Sequence, residues 1–146
     1  MPTRRLLARA SLAAVSFVVR PAAAQRDPRA ASIAAFWRGF RAAVRAGDMA
    51  AVTRMSRLPL ESRGELDDEP MRRLTAATLP AAFRRLLRTV EDVRNNRTVL
   101  DVIRDTPEPV LDPRNVAPGQ ARIGSLEFAR GQEGWRLVTI YRGPEE

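Results

Sequence analysis

The chain predicts an α+β domain: N-terminal helices packed on a curved, cone-like antiparallel sheet, preceded by a signal peptide. Three observations carry that expectation. Residues 33–44 repeat apolar side chains at helical spacing, residues 121–142 alternate in hairpin fashion about a glycine-bearing turn, and residues 1–24 have the layout of an export segment.

The export segment comes first. Arg4-Arg5-Leu6-Leu7 supplies a positive start, Leu12 to Val19 an apolar run, and Pro21-Ala22-Ala23-Ala24 a small-residue cleavage site before Gln25. The paired arginines resemble the twin-arginine variant, whose cargo crosses the membrane folded, and Arg20 beside the cleavage site suits that route. Cleavage after Ala24 implies a periplasmic or secreted protein. Residues 25–146 suffice for one compact domain and are too few for two. The apolar run is too short to persist as an anchor, and no other stretch approaches the roughly 20 residues of a membrane helix, so no stable membrane anchor is expected.

In the remaining chain, Asp27-Pro28 has the form of an N-cap and first helical position. Ile33, Phe36, Trp37, Phe40 and Val44 then define one helical face, with Arg38, Arg41 and Arg45 off it. Gly47 is suited to end that helix in the left-handed region, and Asp48 to cap a second, short helix through Val52 and Met55. Leu58-Pro59-Leu60, closing at Gly64, predicts a short edge strand, because proline cannot donate to an interior ladder. An acidic loop of Glu65, Asp67, Asp68 and Glu69 follows. Thr78 opens a third helix with Leu79, Phe83, Leu86 and Leu87 on its apolar face.

Residues 90–104 fit either periodicity and are assigned a short helix. Residues 106–120, with four prolines, form an extended connection. The closing hairpin joins residues 121–130 to 135–142 across Gly131-Gln132-Glu133-Gly134. Its apolar phase shifts at Gly124, where a bulge is expected to bend the sheet. On the last strand Trp135, Leu137 and Tyr141 are assigned to one face, Val138 and Ile140 to the other.

Composition removes whole classes of chemistry. There is no cysteine and no histidine, hence no disulfide framework, no thiolate nucleophile or metal ligand, and no imidazole base. No cofactor motif is present, and no cofactor is expected. The formal charge of +8 halves when Arg4, Arg5, Arg9 and Arg20 leave with the signal, and the remaining arginines are scattered among acids without stacking aromatics. Nucleic acid is therefore not an expected partner.

The first helix with Phe36, Trp37 and Phe40, the Ala46-Gly47-Asp48 corner, and the final Phe128-Ala129-Arg130…Gly134-Trp135-Arg136-Leu137-Val138-Thr139-Ile140-Tyr141 hairpin together resemble the nuclear transport factor 2-like superfamily, the cone-shaped α+β fold. The likeness spans most of residues 27–142, and is nearest to small exported bacterial proteins of unassigned function. It implies a ligand site at the open end of the cone. That superfamily includes isomerases, cyclases, dehydratases and non-catalytic binding modules, so fold alone selects no activity.

Within that frame Phe128, Trp135, Leu137, Tyr141 and Trp37 are candidate ligand-binding residues, the competing reading being plain core. The chain is expected to be non-catalytic, binding a small apolar ligand or a protein partner, with a homodimer open. The alternative is a carboxylate-dependent isomerase, cyclase or hydrolase, which needs a buried acid of raised pKa. Asp48 is better explained as a cap than as a base. Glu65, Asp67, Asp68 and Glu69 lack the spacing of a calcium loop. Asp101 and Asp105 share a helix face if their segment is helical, beside Arg97 and Arg104. Arg84, Arg85 and Arg88 form a compact basic cluster suited to an acidic partner, an anionic headgroup or a solvated face.

Overall fold

The computed structural model describes residues 32–64, 69–109 and 117–143. Helix α1 (Ile33–Ala46) begins later than Asp27-Pro28, which lie outside the described residues. Ser32 is extended there, and its hydroxyl accepts from the Ala35 amide at 3.2 Å, so the cap is a serine. Gly47 closes α1 with φ 69°, and Asp48 accepts from the Ala51 amide at 2.9 Å to start α2 (Met49–Arg54). Both junctions follow the sequence, because capping is decided by neighbours in the chain.

Strand β1 (Ser56–Gly64) leads through residues 65–68, outside the described residues, to β2 (Arg72–Leu74). Helix α3 (Leu79–Leu86) follows, with Pro80 in its first turn. Residues 90–104 are not one short helix. They form a two-stranded ribbon, β3 (Val90–Asp92) and β4 (Arg97–Thr98), and then α4 (Val99–Asp105). Thr98 and Asp101 cap α4 reciprocally. Strands β5 (Gln120–Ile123), β6 (Leu126–Gly131) and β7 (Gly134–Arg142) complete the chain.

The main sheet is ordered β2-β1-β7-β6-β5. Its pairs are antiparallel except β1–β7, which run parallel, so the sheet is mixed rather than wholly antiparallel. This also overturns the edge assignment of β1, which lies between β2 and the central β7. Pro59 is tolerated because the β1–β7 register shifts between Ser56 and Glu61, while β2 pairs only with residues 60–62. Neither neighbour asks residue 59 for a ladder hydrogen bond.

Two further details differ from expectation. Gly124 is not a bulge within one strand: Ile123 pairs with Leu126, so Gly124-Ser125 is a two-residue hairpin turn, with φ 55° at Gly124. Directly paired residues share a face, and this moves the buried set from Ala121 and Ile123 to Leu126 and Phe128. The bulge lies instead in β7. Glu127 pairs with Thr139 but Phe128 with Leu137, leaving Val138 as an extra residue. Trp135, Leu137 and Ile140 consequently enter the core, and Tyr141 belongs to the opposite face.

Every helix contributes to one core cluster against the inner sheet face: Phe40 from α1, Val52 from α2, Phe83 from α3 and Ile103 from α4. Side chains tie α1 to the end of α4. Trp37 Nε1 donates to the Thr106 carbonyl at 2.7 Å, and Arg41 Nε to the Ile103 carbonyl at 3.1 Å. Those carbonyls have no partner inside the helix, so the bonds dock the two helices and satisfy a helix end together.

Candidate functional site

The aromatic residues singled out in the sequence fall into two places. Trp37, Phe128 and Leu137 are fully buried, and Trp135 is 8% exposed. Phe128 lies at the centre of the inner face, its ring 5.6 Å from Phe36, 5.9 Å from Trp37 and 5.2 Å from Phe40, each edge-on. Rings at these distances fill the space between α1 and the sheet. The indole Nε1 of Trp135 is buried without a hydrogen-bond partner. Tyr141 stands apart from the other four, on the outer face, where its hydroxyl donates to Glu127 Oε2 at 2.9 Å and the Arg122 guanidinium lies 4.0 Å from its ring centre. Burial, then the bond to Glu127, raises its phenol above the ordinary value.

An open groove of 880 Å³ lies where α3 and β3 meet the ends of β1, β2 and β7. Its floor is apolar, made by Leu74, Leu86 and Ile140, with Ala82 and the half-exposed Val90 on the α3–β3 side. Four arginines border it: Arg72 from β2, Arg85 and Arg88 from α3 and the turn after it, and Arg142 from β7. Arg142 is anchored by donating to the Pro70 carbonyl at 3.0 Å and lies 3.9 Å from Glu69. No Asp or Glu is among the described lining residues. Two members of the basic cluster seen in the sequence, Arg85 and Arg88, thus meet Arg72 and Arg142, and Arg84 stays outside. That meeting depends on β1–β7 pairing, which no local pattern announces.

The acids have local roles. Asp48 caps α2. Asp101 accepts from Thr98 Oγ1 at 2.7 Å and from the Thr98 amide at 3.0 Å, and these bonds hold its carboxyl below the ordinary range. Asp105 pairs with Arg97 at 2.7 Å. Glu91, on β3, accepts from the Ser125 hydroxyl and so fastens the ribbon to the β5–β6 turn. Glu65, Asp67 and Asp68 lie outside the described residues. Among the described residues no cluster of three metal-ligating side chains occurs, and no helix is long and apolar enough to cross a membrane.

No family model matches the chain, and no curated protein or solved structure matches it either.

Proposed function

We propose that the protein is a non-catalytic binding module for a small anionic amphiphile, held with its chain on the apolar floor and its head among Arg72, Arg85, Arg88 and Arg142. The observation that carries this reading is the pairing of that apolar floor with four bordering arginines. Arginine offers planar, bidentate hydrogen bonding to carboxylate or phosphate, and an apolar floor beside it favours a ligand with a tail. The sequence expectation of an apolar ligand is thereby narrowed to one carrying negative charge.

Two further expectations belong to the same proposal. The helical pair ahead of the sheet, and a sheet that closes on a three-stranded meander, support membership of the nuclear transport factor 2-like superfamily and a cone-like shape. The layout of residues 1–24 supports export to the periplasm. The carboxylate-dependent enzyme is the weaker reading, because among the described residues no acid lines the groove that suits a ligand.

The test compares decanoate and dodecyl phosphate with decanol by thermal shift and calorimetry. The anionic amphiphiles should raise the unfolding midpoint, by up to several degrees at about 100 times Kd, and decanol should do so far less. The double variant R85A/R88A should weaken decanoate binding about tenfold or more, and added salt should weaken it in the parent protein. Equal response to decanol and decanoate, or no response to any of the three, sinks the reading.

A further inference from the structure

Both irregularities of the main sheet border a second groove, of 350 Å³, on the face turned away from the helices. Arg57 and Pro59 come to it from the register shift of β1, and Val138 from the bulge of β7. Bulges re-aim side chains and interrupt the flat outer surface that a regular sheet presents. Here they make that surface concave at one spot.

The polar lining is set by register. Glu61 pairs with Thr139 from one side and Glu127 pairs with the same Thr139 from the other, so the two glutamates flank it across the groove. Their backbones stand two strand spacings apart, about 9.6 Å. Arg63 forks onto Glu61, Nε at 3.1 Å and Nη2 at 2.8 Å, both to Oε2. Tyr141 holds Glu127, also by Oε2. Each glutamate thus uses one oxygen to fix its position, and its Oε1 accepts nothing from the described residues. The Gln120 amide and the Arg57 guanidinium add donors to the same lining.

Three ligand classes can be weighed against this lining. Among the described lining residues Arg57 and Arg63 are matched by Glu61 and Glu127, so these give the groove no net charge with which to draw a free anion or cation. Pro59, Ala129 and Val138 are its apolar members, too few for an apolar ligand. A neutral molecule with several hydroxyl groups satisfies the set, because adjacent hydroxyls can donate to a carboxylate oxygen and accept from guanidinium or amide. We propose that this outer groove binds a neutral saccharide of mono- or disaccharide size. Its volume is at the small end of ligand pockets, which limits the occupant to that size. The site is independent of the arginine-bordered groove, which opens on the other face of the sheet.

Saturation-transfer NMR on the full chain, with glucose, N-acetylglucosamine, maltose and cellobiose at millimolar concentration, tests the assignment. Transfer to the ring protons of at least one sugar is expected. E61Q and E127Q should each weaken that sugar about tenfold, the scale of one charge-assisted hydrogen bond, and R85A should leave it unchanged. Circular dichroism checks that each variant is folded. If a glutamate variant fails to fold, Q120A on edge strand β5 replaces it and should weaken binding severalfold. No transfer to any of the four sugars overturns the proposal. So does undiminished transfer in the folded E61Q/E127Q double variant, or displacement of the sugar by an equal concentration of acetate.

Discussion

Tyr141 is the single tyrosine of the chain, so the ultraviolet absorbance of phenolate reports on one hydroxyl. Burial disfavours its anion first, and the bond to Glu127 adds to this, so its midpoint should lie above 10.0 in the folded protein. Because the folded value is raised, the folded state retains the proton longer than the unfolded chain. The associated stability is complete below pH 10.0 and is lost as pH rises through the folded value. E127Q should bring the midpoint down toward the ordinary value; a parent midpoint at or below 10.0 would contradict the hydrogen-bonded arrangement. This residue also marks the limit of reading side chains from sequence. Gly47 and Asp48 were legible, since a left-handed glycine and an N-cap act within a few residues. The face of Tyr141 was not, because one unpaired residue, Val138, reverses the alternation, and that bulge is decided by pairing with β6.

At the scale of elements, the Gly124-Ser125 turn joins local and distant demands. Its glycine adopts φ 55°, and a Cβ there would come 2.6 Å from Glu91 Oε1. Gly124→Ala should therefore cost about 1–3 kcal/mol in denaturant unfolding, from backbone conformation and displacement of Glu91 together. A loss below about 0.5 kcal/mol would mean that β3 does not rest on the turn. The helices α1, α2 and α3 were readable because a helical stripe is a dense, short-range signal. Strands β2, β3 and β4 have three residues or fewer, too short for alternation to show, and exist because partners distant in sequence complete them. Pro59 misled for a similar reason. Proline forbids a ladder bond at one residue, and β1 meets that condition through a register shift while remaining interior.

For the molecule as a whole, the aromatic cluster about Phe128 is the main joint between helices and sheet. Phe128→Ala should destabilise the domain by about 3–5 kcal/mol, since the three α1 rings that pack on it cannot all collapse into the space. A two-state unfolding curve at unchanged slope would place that loss in the native core. The α+β class and the single core were legible in the periodicities of residues 33–44 and 121–142. The candidate grooves were not, because each collects residues from β1 and β7, more than 70 positions apart. That same pairing fixes when the protein can finish folding. Among the described strands the central one is the last to be synthesised and its parallel partner the first, so β1 waits beside α2 with its inner ladder open until β7 is made. The continuous sheet and both grooves then form as one late event, and a chain halted before residue 134 lacks the strand that joins β1 to β6.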